Sequence, residues 1–322
     1  MTQGNVIEGV YIGNRFNLEK LFGKVFADYS DQVRLRHPHE IEDPEAIRFA
    51  LAWHPDDDAF TPYPNLSLVS SIAAGVDSLV SCPSLPQTAH VTRIRDEAQA
   101  DLMAGFAVWQ VIWHHRNMGQ YIRQQATPKW WQHPLDTPPK DYTVGILGYG
   151  LMGKAIARAI TAAGFPVVAA VRTSKTNDAD SEIGVRFETG ADAIQRVAAQ
   201  SQVLINVLPL TPETENILNA DLFNQMSHGA RLIQLGRGQQ LVDDDLDTAI
   251  STGQIGGASL DVFRKEPLPE DHPWWSNEKI LITPHQASDS SRALVAQQVT
   301  AAAIETVAGR VPANTVDRNQ GY

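Results

Sequence analysis

Residues 143–175, TVGILGYGLMGKAIARAITAAGFPVVAAVRTSK, constrain the fold more than any other stretch, because they combine an apolar strand, a glycine-rich turn, an alanine-rich helix and a second strand. This order is typical of a βαβ unit that binds a dinucleotide. Gly148 permits the tight turn, Gly150 lets the backbone approach a pyrophosphate, and Gly153 allows the helix to contact the strand. A helix that begins at Leu151 aims its amides at phosphate. The stretch therefore predicts a dinucleotide site.

The end of the second strand indicates which dinucleotide is bound. A protein that prefers NAD places an acidic residue about twenty residues beyond the glycines, where it binds the ribose hydroxyls. This chain instead has Arg172, Thr173, Ser174 and Lys175 at that point. Two cations and two hydroxyls suit a 2′-phosphate, and the alternative is a solvated basic loop. We expect NADP(H) to be preferred, with NAD(H) as a possible second cofactor.

Length and charge limit the class of protein. A chain of 322 residues exceeds the usual size of one hydrophobic core, which favours two domains. A net charge of −11 argues against a nucleic-acid surface, and no apolar run is long enough to cross a bilayer. The single cysteine, Cys82, excludes an internal disulfide, and the polar N-terminal stretch lacks a signal peptide. We therefore expect a cytoplasmic protein.

No metal site is expected. No histidine pair has ligand spacing supported by cysteines or carboxylates, and His114 with His115 falls at the predicted end of a helix.

Apolar runs outside the glycine loop predict further strands. In the first hundred residues they are VIEGVYIG, VRLRH, IRFALAW, LSLVSSI and HVTRI, and after Lys175 they are SQVLINVLP, ARLIQLG, GGASLDVF and KILITPH. Helical spacing covers residues 96–116 and 290–309, and DDDLDTAISTG reads as a helix with acidic residues first and Gly253 as its stop. The proline- and tryptophan-rich stretch TPKWWQHPLDTPP is expected to be an extended arm.

The glycine loop lies near residue 150 instead of near the N-terminus, so the nucleotide domain is expected to be inserted into another domain. We predict a substrate domain at 1–96 and 287–322, and a nucleotide-binding domain at 97–286 that includes a dimerisation helix and arm at about 97–138.

Six blocks occur in a fixed order along the chain: IAAGVD, GILGYGLMG, LPLTPET, LGRGQ, LDVFRKEPLP and TPHQA. This order resembles the D-isomer-specific 2-hydroxyacid dehydrogenases, and AWHP, AAGVDS, TPET and the ending GY are most similar to their glyoxylate and hydroxypyruvate reductase branch. The resemblance covers nearly the whole chain. It implies α/β architecture in two doubly wound parallel-sheet domains, with a Rossmann domain inserted into a flavodoxin-like substrate domain. It also implies NAD(P)H-dependent reduction of small 2-oxo acids such as glyoxylate and hydroxypyruvate.

Three residues are candidates for the chemistry of that reduction, which needs a cation for the substrate's carboxylate and carbonyl and an acid for the developing alkoxide. Arg237 follows a strand end between two glycines, where its guanidinium can bind planar oxygens. By resemblance, His285 in TPH is the acid–base residue, and Glu266 would favour its protonated ring and fix its orientation. The alternatives are a surface arginine, a structural histidine and a solvated loop glutamate.

The substrate's carboxylate also needs backbone amides. Ala74, Gly75 and Val76 follow a predicted strand, and their small side chains let an anion approach the backbone, although a purely structural turn is an alternative. By resemblance, Trp53 lines the pocket, and Trp131 reaches the pocket of the partner subunit. The alternative for each tryptophan is packing within its own subunit.

Further residues are expected to line the cofactor by resemblance. Asp261 would accept a hydrogen bond from the nicotinamide carboxamide, and Pro209 and Thr214 lie in the loop along the cofactor. The remaining expected contacts are Met152, Leu208, Leu235, Gly236, Arg237 and His285. The chain departs from the family pattern at Gln234, where asparagine is usual, and at Gln286.

The predicted helix and arm contain four of the seven tryptophans in a span of 23 residues: Trp109, Trp113, Trp130 and Trp131. Such aromatic density suits an interface core, and we expect a homodimer.

Two other readings remain open. Some transcriptional corepressors resemble this fold. By analogy with them, the chain would be a non-catalytic NAD(H)-sensing scaffold. Within the enzymes, the substrate can be another 2-oxo acid, such as pyruvate, phenylpyruvate or the oxidised form of phosphoglycerate.

Overall fold

The computed structural model describes residues 6–132, 134, 136–172, 184–318 and 320–321. The chain divides into two units, residues 1–98 with 289–322, and residues 99–288. The boundaries expected from the sequence lie two residues from these at each junction. The assignment of substrate binding to the first unit stays a prediction.

The first unit is built on a parallel five-stranded sheet. Its strands are β1 (Ile7–Gly13), β2 (Val33–Arg36), β3 (Phe49–Trp53), β4 (Leu68–Ser71) and β5 (His90–Thr92). The order β2-β1-β3-β4-β5 is the flavodoxin-like order. Each strand falls on one of the five apolar runs, so the five strand predictions are confirmed.

The second unit contains a parallel seven-stranded sheet. Its strands are β6 (Val144–Leu147), β7 (Val167–Val171), β8 (Arg186–Thr189), β9 (Val203–Asn206), β10 (Ala230–Gln234), β11 (Ile255–Leu260) and β12 (Ile280–Ile282). The order is β12-β11-β10-β9-β6-β7-β8, and β6 pairs with both β7 and β9. The strand order reverses at β6, and open α/β sheets bind ligands at the carboxyl ends of the strands beside such a reversal.

Helices cover the faces of both sheets. They are α1 (Leu18–Phe26), α2 (Asp77–Val80), α3 (Glu97–His115), α4 (Met118–Ala126), α5 (Leu151–Ala162), α6 (Ala193–Gln200), α7 (Ala220–Gln225), α8 (Asp243–Thr252) and α9 (Arg292–Val307). Short 3-10 helices lie at Ala27–Tyr29, Pro38–Glu40, Pro44–Ala46, Pro139–Asp141, Gly238–Gln240 and Pro273–Ser276. None of these described helices has the length and apolar character of a membrane span.

The central strands are buried on both faces because helices cover each side of a parallel sheet. In the first unit, Phe49 and Leu68 pack with Phe22 of α1 and Val299 of α9. In the second unit, every residue of β6 and β9 is buried. This burial explains why these strands appear in the sequence as short continuous apolar runs.

The predicted helices at 96–116 and 290–309 are confirmed as α3 and α9. The acidic helix α8 ends at Gly253, whose φ of 82° is the left-handed conformation that favours glycine. The sequence did not predict β8 or α4. Every residue of β8 is at least partly exposed, and α4 buries no residue, so neither carries a continuous apolar run.

Candidate active site

The predicted site residues of the second unit follow the carboxyl ends of its parallel strands. Gly148 follows β6, Arg172 follows β7, Leu208 follows β9, Arg237 follows β10, Asp261 follows β11 and His285 follows β12. Since the strands are parallel, these positions lie along one edge of the sheet. The structure therefore places the predicted cofactor loop and the predicted catalytic residues of this unit on the edge where α/β sheets bind ligands.

The glycine loop has the shape that a dinucleotide requires. Gly148 has a φ of 100°, which only glycine adopts readily. A Cβ atom at Gly153 would collide with the carbonyl oxygen of Gly148, so this glycine lets α5 start directly above the turn. A Cβ atom at Gly150 would meet nothing within 4 Å, and no side chain caps α5 at this residue. The first amides of α5, beginning at Leu151, therefore face an open cradle that fits a pyrophosphate.

The loop after β9 is fixed by side chains. The Thr214 hydroxyl donates to the carbonyl of Pro209 at 2.7 Å and accepts from the amide of Thr211 at 2.8 Å. The amide of Leu208 donates to Asn206 Oδ1 at 3.3 Å. Thr214 thus closes the loop on itself, and its contact with the cofactor stays a prediction.

His285 and Glu266 form a pair. The Nδ1 atom of His285 lies 2.9 Å from Glu266 Oε2, and the exposed fractions of the two side chains are 39% and 20%. The other carboxylate oxygen, Oε1, accepts a hydrogen bond from the amide of Phe263 at 3.0 Å. A carboxylate that is fixed in this way holds the imidazole in one orientation and favours a proton on Nδ1.

Asp261 holds the loop that carries His285. Its Oδ1 accepts from the Thr283 hydroxyl at 2.6 Å and from the Gln286 amide at 2.9 Å, and its Oδ2 accepts from the Ala287 amide at 2.9 Å. Its backbone carbonyl accepts from the amide of His285 at 2.8 Å. This helps keep His285 at a φ of 54°, a conformation that is uncommon outside glycine. This contact with the loop was not predicted from the sequence. A carboxylate has about four acceptor positions, so Asp261 keeps one for the predicted hydrogen bond from the nicotinamide carboxamide.

Arg237 is partly buried directly after β10. Its Nη1 donates to the carbonyl of Gly236 at 2.9 Å. Its amide donates to Gln240 Oε1 at 2.8 Å, and its carbonyl accepts from Gln234 Nε2 at 2.8 Å. From the sequence, Gln234 was notable only as a departure from the family pattern, and nothing indicated a role for Gln240.

The basic end of β7 is partly described. Arg172 is exposed in the bend that follows the strand, whereas the predicted contacts Thr173, Ser174 and Lys175 lie outside the described residues. A hydrogen bond with Thr211 lowers the pKa of Glu213, and the positive charge of Arg172 adds to this effect. The charge of Arg172 therefore acts on the neighbouring loop after β9.

The predicted substrate residues of the first unit also follow strands. Trp53 is the last residue of β3, and residues 74–76 follow β4. The Ser71 hydroxyl donates to the carbonyl of Gly75 at 2.7 Å and accepts from the amide of Ala73 at 3.1 Å, which fixes this turn. Val76 is buried, whereas Ala74 and Gly75 are partly exposed. The roles of Trp53, Ala74, Gly75 and Val76 in substrate binding stay predictions.

The aromatic residues of α3 and the arm are unusually exposed. The exposed fractions of Trp109, Trp130 and Trp131 are 44%, 93% and 44%. Trp109 contacts Trp113 edge to face, with ring centroids 5.9 Å apart.

Comparison with known proteins identifies the family. The family model described as D-isomer specific 2-hydroxyacid dehydrogenase, NAD binding domain, matches residues 108–287. Glyoxylate/hydroxypyruvate reductase A from Serratia proteamaculans (strain 568) is 37% identical over 297 residues, which cover 90% of this chain and 92% of that protein.

Two solved structures share the fold. A D-isomer specific 2-hydroxyacid dehydrogenase from Xanthobacter autotrophicus Py2, in complex with NADPH and MES, has a TM-score of 0.88 at 32% identity and covers 98% of this chain and 100% of that chain. An NADPH-dependent glyoxylate/hydroxypyruvate reductase from Sinorhizobium meliloti, in complex with NADP and sulfate, has a TM-score of 0.88 at 28% identity over the same shares of the two chains. The chain belongs to the D-isomer-specific 2-hydroxyacid dehydrogenase family, in its glyoxylate/hydroxypyruvate reductase A branch.

Proposed function

We propose that this protein reduces small 2-oxo acids, with glyoxylate and hydroxypyruvate as the preferred substrates, and uses NADPH as the reductant. The observation that carries the proposal is the pair of His285 Nδ1 and Glu266 Oε2 at 2.9 Å, on the same sheet edge as Arg237 and the glycine loop. The relative from Serratia and the structure from Sinorhizobium, both named as glyoxylate/hydroxypyruvate reductases, support the choice of substrates.

The cofactor supplies the hydride when it is bound, and the residues of the chain handle charge and protons. His285 keeps Nδ1 on the Glu266 carboxylate, which leaves Nε2 as the atom that donates a proton to the developing alkoxide. Since Glu266 also accepts from the amide of Phe263, the ring needs little reorganisation during the proton transfer.

Arg237 is the proposed cation for the substrate. A guanidinium presents two parallel donors to a carboxylate, and its charge stays in place at every working pH. Its backbone is bonded at both the amide and the carbonyl, so only the side chain adjusts when substrate binds.

The activity is tested by NADPH oxidation with a panel of glyoxylate, hydroxypyruvate, pyruvate and phenylpyruvate. We expect the highest kcat/KM with the first two substrates. Turnover of none of the four would exclude the reductase and favour a scaffold that only senses the cofactor, whereas a preference for phenylpyruvate would keep the chemistry and change the substrate.

Arg172 is the proposed determinant of cofactor choice, because it is the described cation at the end of β7 and a charge-assisted bond to a 2′-phosphate contributes about 1.5–3 kcal/mol. We expect Arg172→Ala to lower kcat/KM for NADPH about 10- to 100-fold and to leave kcat/KM for NADH nearly unchanged. Arg186→Ala removes another exposed arginine, at the start of β8, and serves as the control. An unchanged ratio of the two cofactors in Arg172→Ala would refute this role.

A homodimer is proposed from the exposed tryptophans of α3 and the arm, because monomers rarely leave large aromatic patches in water. Sedimentation of a monomer at micromolar concentration would exclude it. We further propose that Trp131 of one subunit serves the substrate site of the other. A dimeric Trp131→Ala variant with unchanged KM and kcat would exclude only this second claim.

The proposed location is the cytoplasm. The chain has a single cysteine, Cys82, which is buried and cannot form an internal disulfide, and disulfides are rare in the cytoplasm. Recovery of the native protein in another compartment after cell fractionation would exclude this location.

A further inference from the structure

Three buried carboxamides lie directly beneath Arg237. Asn206 ends β9, Gln234 ends β10 and Gln240 ends the 3-10 helix Gly238–Gln240, and the exposed fraction of each side chain is 0%. Asn206 Nδ2 donates to Gln234 Oε1 at 2.8 Å and to Gln240 Oε1 at 2.7 Å. We call Asn206, Gln234 and Gln240 the amide triad.

The orientation of each carboxamide in the amide triad is dictated by backbone groups. Gln234 accepts from the amide of Gly236 at 3.2 Å and donates to the carbonyl of Arg237 at 2.8 Å, so exchanging its oxygen and nitrogen would oppose like groups on both sides. Gln240 accepts from the amide of Arg237 and donates to two other carbonyls, so it is fixed in the same way. Asn206 must then donate to both of them.

The amide triad joins two segments that serve different ligands. Gln240 Nε2 donates to the carbonyl of Leu208 at 3.2 Å and to the carbonyl of Pro209 at 3.0 Å, in the loop proposed to line the cofactor. Its Oε1 accepts from the amide of Arg237 at 2.8 Å, at the residue proposed to bind the substrate. One side chain thus connects the loop after β9 with the loop after β10.

Gly236 makes room for this connection. A Cβ atom on Gly236 would collide with Gln240 Oε1 and would lie 2.9 Å from Asn206 Nδ2. Any larger residue at this position would therefore displace the carboxamide that bonds to Arg237. Gly236 and Gln240 therefore depend on each other: the absence of a side chain at Gly236 leaves the space that the Gln240 carboxamide occupies.

We propose that the amide triad is a positioning element that fixes the backbone of Arg237 and the Leu208–Pro209 carbonyls relative to each other. This inference rests on the proposed function of Arg237 and of the loop after β9. Apart from the bonds between its own members, the triad bonds to backbone groups and takes no part in the proton transfer, so its effect appears in binding and alignment. Because every polar atom of the three carboxamides is bonded, loss of one member leaves buried partners without hydrogen bonds.

The test compares two glutamine substitutions that are matched in chemistry. Gln240→Met removes two bonds to carbonyls, one from the Arg237 amide and one from Asn206 Nδ2. Gln254 directly precedes β11, at the amino ends of the strands and away from the amide triad. Gln254→Met also removes two bonds to carbonyls, those of Phe223 and Met226 at 2.7 and 2.8 Å. We expect both variants to lower Tm, whereas only Gln240→Met lowers kcat/KM for the 2-oxo acid, by about 10- to 100-fold, and raises the Kd for NADPH.

A third variant separates the two ends of the amide triad. Gln234→Met releases the carbonyl of Arg237 but keeps the bonds of Gln240 to Leu208 and Pro209. We expect it to raise KM for the 2-oxo acid and to lower kcat while the Kd for NADPH, followed by quenching of tryptophan fluorescence, stays within about twofold. If Gln240→Met does not fold, Gln240→Asn, which keeps the carboxamide and withdraws it by one methylene, should give the same pattern with a smaller amplitude.

Kinetics of Gln240→Met or Gln240→Asn equal to those of Gln254→Met, below both melting temperatures, would overturn the proposal. Failure of the proposed function gives a different result, because the wild-type protein would then turn over no 2-oxo acid. In that case the Kd for NADPH and the crystal structure of the Gln240 variant decide: displaced Arg237 and Leu208 backbones support the positioning role, and unmoved backbones refute it.

Discussion

In the seven-stranded sheet, the carboxyl ends of the parallel strands form one edge and their amino ends form the other. These two edges, which we call the carboxyl edge and the amino edge, place the same residue type in opposite surroundings. At the carboxyl edge, His285 is 39% exposed and paired with a carboxylate. At the amino edge, Tyr142, Gln202 and Arg231 line a cavity of about 250 Å³ together with His114. His114 lies at the end of α3, and its Nε2 is 2.8 Å from the Oγ of Ser259 in β11. Burial and the positive charge of Arg231 lower the pKa of His114 to about 3, so this ring is neutral at physiological pH.

The partner and the burial of each histidine account for this difference. A carboxylate on one nitrogen of an accessible ring orients the ring and leaves the other nitrogen for a ligand. Burial beside an arginine, in contrast, disfavours the charged form of the ring. Tyr142 follows the same rule, since burial raises its pKa to about 12 although Arg231 opposes the shift. We therefore expect the amino edge to serve stability and the carboxyl edge to carry the proposed chemistry.

The largest expected effect tests this division directly. His285→Ala should lower kcat about 10²- to 10⁴-fold, because the developing alkoxide loses its proton donor. The Kd for NADPH should stay within a few-fold of the wild-type value, as measured by fluorescence titration. His114→Gln is the matched control at the amino edge and should leave kcat within about twofold. Equal losses in both variants would refute the division between the edges.

The glycine loop provides the next effect. Gly150→Ala adds a methyl group where the protein itself has nothing within 4 Å, so Tm should not change, whereas the Kd for NADPH should rise at least about tenfold because the backbone no longer approaches the pyrophosphate. Gly153→Ala, in contrast, should lower Tm, since its Cβ meets the carbonyl of Gly148. Unchanged NADPH affinity in Gly150→Ala would place the phosphates elsewhere.

A smaller effect concerns the orientation of the His285 ring. Glu266→Gln keeps an oxygen for the amide of Phe263 but replaces the charge beside His285 Nδ1. A neutral carboxamide holds the imidazole less firmly than a carboxylate, so kcat should fall about tenfold while KM for the 2-oxo acid stays within a few-fold of the wild-type value. The measurement is steady-state kinetics at saturating NADPH. Kinetics that coincide with those of the wild type would remove Glu266 from this role.

The sequence predicted the elements whose signal is local. Apolar runs marked the eleven predicted parallel strands, including β6 and β7. Gly148 has the left-handed conformation, and Gly153 has the close approach, that their positions required. The edge strand β8 and the polar helix α4 escaped because neither buries a continuous apolar run. The catalytic candidates were found because family blocks mark their positions at strand ends.

The supporting contacts of the site could not be predicted in this way. Asn206 lies 28 residues from Gln234 and 34 residues from Gln240, and the three meet only because β9 and β10 are neighbours in the sheet. Asp261 similarly reaches Ala287 across 26 residues. Such bonds depend on strand order and register, which a single sequence does not specify.

The last prediction concerns stability alone. The pKa of His114 is about 3 in the folded protein and about 6.5 when the chain is unfolded, so the unfolded state binds the additional proton below pH 6.5. The contribution of a neutral His114 to stability is therefore complete above pH 6.5 and is lost as the pH falls toward 3. At pH 5 the loss is about 2 kcal/mol.

His114→Gln keeps an amide near Ser259 and cannot take up the proton, so its free energy of unfolding should fall less between pH 7.5 and 5 than that of the wild type. His115→Gln, which keeps His114, should retain the wild-type acid dependence. Denaturant titrations at the two pH values measure the difference, and an identical acid dependence in His114→Gln and His115→Gln would show that His114 is not the buried titrating group of the amino edge.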